Sequence, residues 1–324
     1  MQRKGLRGTW NSPAGLKPDA EPTGALVDRD MQIGRMLSAG APIVDSRLFT
    51  TDPILGVYLA SEEMGRFEQQ LNRPVSAVTA FTDSNNPDVT VNTFPFWLQW
   101  PGDRKLILSH ALIGYGWDMA ASASGAHDAD YQQAVDNLLP WKDRILSIRI
   151  GWEFNVNNGY PWSQGGAGGS NQTPTNYADS FNRFATKIRE GLPGVLIDWC
   201  PLADHALPDP WYPGDDVVDI IGNDVYVKQA FHSNSFSQVL NWNAGLNWQE
   251  QFAQAHGKLM GFAEWAIDYA DGARWIQQMA EWMKRPRANR VVYQSYWNSN
   301  DVVNTKLDDL PLNLAAYKAA FAEI

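Results

Sequence analysis

From about residue 50 onward, apolar and polar positions along this chain fall into a repeating order. Short runs rich in β-branched and aliphatic side chains recur eight times: Ile54–Leu59, Val75–Phe81, Lys105–Ile113, Ile145–Trp152, Val195–Cys200, Val217–Tyr226, Lys258–Trp265 and Arg290–Trp297. Each is six to ten residues of largely apolar character, the pattern of a strand buried on both faces. Between them the period lengthens to that of amphipathic helices, over Ser61–Leu71, Tyr131–Leu139, Asn176–Glu190, Phe236–Ala255, Asp271–Lys284 and Leu314–Ala322. In the clearest of these, Asn176 is placed to cap a helix whose apolar face is Tyr177, Phe181, Phe184 and Ile188, with Gly191 and Pro193 as the stop.

Alternating strands and helices require a parallel sheet covered on both sides, and eight such units suit a closed (β/α)8 barrel. The pattern therefore predicts an α/β fold: a barrel over residues 41–324, preceded by an irregular Gly-, Pro- and Asp-rich arm over 1–40. No Gly-x-Gly-x-x-Gly follows the first strand and no Gly-x4-Gly-Lys-Ser/Thr occurs, so neither dinucleotide nor triphosphate chemistry is indicated. The Gly165–Gly169 run has no lysine and no helix start, and reads as a loop.

Composition narrows this further. With 44% hydrophobic residues the chain can bury a large core, and no apolar run reaches the ~20 residues of a membrane span. A net charge of −10 opposes nucleic-acid binding. Cys200, the single cysteine, excludes an intramolecular disulfide and reads as a buried thiol. The basic start Met1-Gln2-Arg3-Lys4 is not followed by the apolar stretch of a signal peptide, which leaves the compartment open, although a polymeric substrate would favour the outside of the cell. Fifteen tryptophans are more than a core needs, and flat aromatic faces stack on sugar rings.

Most of the ten glutamates lie on helix-like surface segments, but Glu153 ends the fourth strand and Glu264 the seventh. A carboxylate closing an apolar strand is costly to desolvate without a partner. At the C-terminal ends of barrel strands, where such folds carry their chemistry, two facing carboxylates are what glycosidic cleavage uses. Strand alternation sets Arg149, Gly151 and Glu153 on one side, with Arg149 deeper as a fixed cation supporting an ionised carboxylate. Trp117, Trp162 and Trp211 fall in loops after strands 3, 4 and 5, where either sugar stacking or loop packing is open to them. Asp118 and Asp224 could bond sugar hydroxyls or serve as caps. His127, His205, His232 and His256 lack the spacing of a metal site.

These motifs resemble glycoside hydrolase family 26, within the clan of retaining (β/α)8-barrel glycosidases; the family holds β-mannanases, lichenases and β-1,3-xylanases. Its Arg-x-x-His-Glu-Met-Asn signature corresponds here to Arg149-Ile150-Gly151-Trp152-Glu153-Phe154-Asn155, followed by Tyr160-Pro161-Trp162. Its Tyr-Pro-Gly-Asp-x-x-Val-Asp segment corresponds to Tyr212–Asp219, running into Asp224-Val225-Tyr226, and a Trp after the eighth strand is Trp297. The resemblance implies an endo-acting retaining hydrolase of a β-linked polysaccharide or oligosaccharide, with Glu153 as acid/base and Glu264 as nucleophile. It implies that Tyr226 bonds the nucleophile, that His110 lines the sugar site and that Trp297 is its stacking platform. Trp117, Trp152, Asn155 and Trp162 complete the expected substrate contacts. Trp152 departs from the family, which has His there, and points to a different sugar or a remote subfamily. No cofactor or metal is implied, and a monomer is expected. Two other readings share the barrel: an exo-acting glycosidase or transglycosylase with a blocked cleft, and a catalytically silent carbohydrate-binding barrel.

Overall fold

Nine parallel strands in the computed structural model close into one barrel. The structure describes residues 52–82, 103–165, 172–301 and 303–321; the arm expected over 1–40 and most of the glycine-rich run lie outside them. The strands are β1 (Ile54–Tyr58), β2 (Ala77–Phe81), β3 (Lys105–His110), β4 (Ile145–Ile150), β5 (Leu196–Trp199), β6 (Ile220–Gly222), β7 (Val225–Val227), β8 (Leu259–Ile267) and β9 (Val291–Trp297). Strands β1 to β6 neighbour one another in chain order, as do β7 to β9, and β9 pairs with β1 from Ile54↔Tyr293 to Tyr58↔Trp297. The sixth predicted strand is two short ones. β6 pairs with the start of β8 and β7 with its end, so β6 and β7 together fill one barrel position. The result is the eight-position (β/α)8 barrel that the apolar rhythm predicts.

The helices among the described residues are α1 (Met64–Leu71), α2 (Met119–Ala123), α3 (Asp128–Leu138), α4 (Pro174–Gly191), α5 (Phe236–Leu240), α6 (Leu246–Ala255), α7 (Ala273–Lys284) and α8 (Pro311–Phe321). In α4 the cap is Thr173, not Asn176: the Thr173 hydroxyl accepts from the Asn176 amide at 3.2 Å, and Pro174 opens the first turn. The buried face is otherwise the predicted one, Tyr177, Phe181, Phe184 and Ile188. The predicted helix over Phe236–Ala255 is two helices. Between them the chain folds back at Gly245, where a Cβ would lie 2.3 Å from the Val239 carbonyl.

Register places Thr79, Ser109, Arg149, Asp198, Tyr293 and Ser295 inside the barrel. Thr79 bonds Ser295 at 2.7 Å and the Ala263 carbonyl at 2.8 Å, and Tyr293 donates to Asp198. Against this polar layer pack Ala77, Ile107, Leu196 and Ile220, in one cluster with the Tyr293 ring. The lumen is thus a packed core whose upper half carries charge.

Candidate active site

At the end of β4 the strand alternation stops. Gly151 takes φ +52, and a Cβ there would press on Leu112. Two residues later Glu153 also sits in the left-handed region, at φ +51, which costs a non-glycine residue on the order of 1 kcal/mol. Its amide is anchored on the Cys200 carbonyl at 2.8 Å. This turn, rather than strand pleating, brings the Glu153 side chain over the barrel mouth. Glu264 lies within β8, three residues before its end, where pairing with β9 slips between Phe262 and Trp265.

Carboxylate oxygens of Glu153, Asp224 and Glu264 all lie within 4.8 Å of one another. Arg149, fully buried, donates from one amino group to Asp224 and from the other to Glu264. Its Nε and Nη2 also reach Ser109 Oγ, at 2.9 and 2.6 Å. Tyr226 donates to Oε2 of Glu264 at 2.6 Å, so both oxygens of that carboxylate are held. Glu153 is half-buried, and among the described residues its one side-chain donor is Asn158 Nδ2, at 3.1 Å from Oε2. Burial, and next the negative charge of Glu264, push its carboxyl up to about 7; Arg149, Asn158 and Lys228 pull the other way. Three clustered carboxylates are also a donor set for a cation, but here the Arg149 guanidinium already bonds two of them and supplies that positive charge.

An aromatic wall surrounds these groups. Trp297 stacks on Tyr58 with centroids 3.7 Å apart and turns its edge to Phe81 and Tyr226. Asp301 accepts from Trp297 Nε1 at 3.2 Å and from the Tyr58 hydroxyl at 3.3 Å. Trp152 packs against Phe81, Tyr160 and Trp162, with the Arg149 guanidinium 5.5 Å from its ring.

Several expected sugar contacts sit elsewhere. His110 is fully buried, bonds the Ala111 carbonyl at 2.8 Å and meets Phe184 of α4 edge-on, because its place in β3 points it outward into the helix layer. Trp162 is fully buried and donates to the Trp152 carbonyl at 2.8 Å, backing the wall rather than facing the cleft. Asn155 spends its amide on the backbone of the β5 loop, at the Leu202 and Ala206 carbonyls and the Leu202 amide. Trp117 stacks on His127 at 3.7 Å. Trp211 is buried among Phe154 and Tyr177, and Asp118 caps α2.

Comparison with known proteins agrees with this fold. A sequence model described as glycosyl hydrolase family 26 matches residues 151–304, the stretch that holds both glutamates, Asp224, Tyr226 and Trp297. The chain is a family 26-like glycoside hydrolase. Three solved structures share its fold. The catalytic domain of a Bacillus sp. JAMB-750 endo-β-1,4-mannanase is 15% identical, with 88% of this chain and 92% of that one covered at a TM-score of 0.58. A modular Cellulomonas fimi endo-β-1,4-mannanase is 17% identical, with 88% and 75% covered, also at 0.58. A Bacteroides ovatus β-mannanase is 14% identical, with 89% and 92% covered at 0.54. No curated protein matches the sequence.

In this family 26-like barrel, sequence reasoning passed over Ser109, Tyr58, Phe81, Asn158 and Asp301, and left Asp224 between cap and ligand. Register alone could have found Ser109, which lies two residues after the inward-facing Ile107 and beside Arg149. Tyr58 is likewise the β1 partner of Trp297. Asn158 and Asp301 come from loops and carry no periodic signal.

Proposed function

We propose that this hydrolase is a retaining endo-enzyme acting on a β-linked polysaccharide by double displacement. Glu264 is the nucleophile and Glu153 the acid/base. The observation that carries the reading is the pair of carboxyls approaching within 4.8 Å, each in a different environment. Inverting enzymes need roughly 6.5–9.5 Å between carboxyls to seat a water, whereas direct attack needs about 5–5.5 Å. Arg149 and Tyr226 hold both oxygens of Glu264 and aim its carboxylate for attack. Burial and the neighbouring charge keep a proton on Glu153 near neutral pH, as the first step requires.

In that step Glu153 gives its proton to the leaving oxygen while Glu264 bonds the anomeric carbon. In the second, Glu153 takes a proton from water, and the water oxygen displaces Glu264. Trp297, Tyr226 and Phe81 form the apolar wall against which a sugar ring would lie. The likeness to mannanases makes β-mannan the first substrate to try, beside mixed-linkage β-glucan, xylan and bacterial exopolysaccharide. Trp152, in the place where the family has His, puts an aromatic edge where a polar partner is expected. Proton NMR of the first-formed reducing end tests the mechanism: the substrate's own anomer is expected, and the opposite anomer would refute double displacement.

A further inference from the structure

We propose that Asn158 is a positioning residue for Glu153, holding its carboxyl in the left-handed turn and supporting the carboxylate once the proton has left. This rests on the acid/base reading of Glu153 above.

Three contacts place Asn158 in that role. Its Nδ2 donates to Glu153 Oε2 at 3.1 Å and lies 3.4 Å from the Glu153 backbone carbonyl, while its Oδ1 accepts from the Tyr160 amide at 3.2 Å. One amide side chain therefore ties the strained residue, its carboxyl and the following aromatic loop together. Glu153 needs such a tie. Its backbone sits at φ +51, and among the described residues no guanidinium or phenol bonds to it as they do to Glu264. With Oε2 taken by Asn158, Oε1 is the oxygen that carries the proton toward the leaving group.

The amide can only donate to Glu153, so it favours the ionised form. The other groups around Glu153 are Glu264 from β8 and Asp224 from the β6–β7 junction, which favour the protonated form, and Arg149 from β4 and Lys228 after β7, which oppose them. Tyr226 and Tyr160 face the same cluster and are held neutral, pushed up by burial first and then by the carboxylates. Asn158 is thus the hydrogen-bonding member of this balance. It acts most when Glu153 must be a carboxylate, in the hydrolysis of the glycosyl-enzyme.

The test compares Asn158→Asp and Asn158→Ala with the native enzyme by the pH dependence of kcat/KM. It is paired with carbon-13 NMR titration of glutamate-labelled protein, which reads Glu153 without turnover. Asn158 is exposed, so both variants should fold. Asn158→Asp keeps the acceptor for the Tyr160 amide while it replaces the donor with a negative charge. Removing a donor from the carboxylate raises its pKa, so the alkaline limb and the NMR midpoint should both move up. The shift expected for Asn158→Ala is about 0.5–1 pH unit, and for Asn158→Asp at least as much because a like charge is added. A limb and midpoint that stay in place, or that move in Asn158→Ala alone, would overturn the proposal, since the second result would trace to loop geometry. Glu153→Gln serves as the control: if it leaves rate and limb unchanged, the acid/base reading itself fails, whatever Asn158 does.

Discussion

Tyr226 and Glu264, on adjoining strands β7 and β8, are joined by a 2.6 Å hydrogen bond from the phenol to Oε2. Because Arg149 already holds Oε1, this bond fixes the rotation of the carboxylate as well as its place. Glu264 is buried, and among the described residues no other donor stands ready to replace the phenol. Tyr226 in turn cannot ionise near neutrality, since burial and the adjacent negative charge push its phenol far up.

Tyr226→Phe is therefore expected to keep the fold and lose aim. A misplacement of about 1 Å at a reacting group costs up to about 100-fold, so kcat should fall by about 10- to 100-fold with a smaller change in KM. Steady-state kinetics on a soluble oligosaccharide, beside a thermal melt, check this. An unchanged kcat would mean that Arg149 alone orients the carboxylate.

The strands were legible because a parallel barrel buries them on both faces, leaving apolar runs that loops cannot imitate. The break in the sixth was not. Asn223 and Asp224 are polar residues in an apolar run, and only the structure shows that Asp224 turns inward to Arg149 while Asn223 bonds the Ala244 carbonyl. Glu153 and Glu264 stood out because charge at the end of an apolar strand demands a reason. The route by which Glu153 reaches the mouth did not, since pleating predicts a continuous strand where the backbone turns left-handed at 151 and 153. Residue type says little about layer. Trp162 and His110 are aromatic and close in sequence to the site, yet one backs the wall and the other packs on Phe184.

The placement of His110 has a consequence for stability. Burial lowers its pKa to about 4, so the folded protein holds it neutral while an unfolded chain would protonate it near 6.5. Between those values the unfolded state binds more protons, so stability rises with pH. The contribution is complete above about 6.5 and is lost as pH falls toward 4, by on the order of 3 kcal/mol across the window. His110→Asn retains an amide that can donate to the Ala111 carbonyl but cannot titrate. Urea midpoints measured from pH 4.5 to 8 should fall less steeply toward acid in the variant than in the native protein. Equal slopes would show that His110 is reached by water in the folded state.

Glu264→Ala separates the nucleophile from a carboxylate that only neutralises Arg149. On the proposed mechanism the substitution removes the attacking group, and hydrolysis should stop. Asp224 remains on Arg149, so the guanidinium keeps one partner and the barrel should stay folded, as a thermal melt can verify. Trp297, Tyr58 and Phe81 still line the cleft, so oligosaccharide binding followed by tryptophan fluorescence should persist. The space left beside the anomeric carbon is then open to a small anion. Azide supplied from outside should restore some turnover on a substrate with a good leaving group. One displacement then replaces two, so the glycosyl azide should have inverted configuration. In Glu153→Ala the order of events differs: Glu264 still forms the covalent intermediate, azide opens it from the opposite face, and the product should be retained. Swapped stereochemistry between the two variants would reverse their roles. Native activity in both would place the chemistry elsewhere in the cleft.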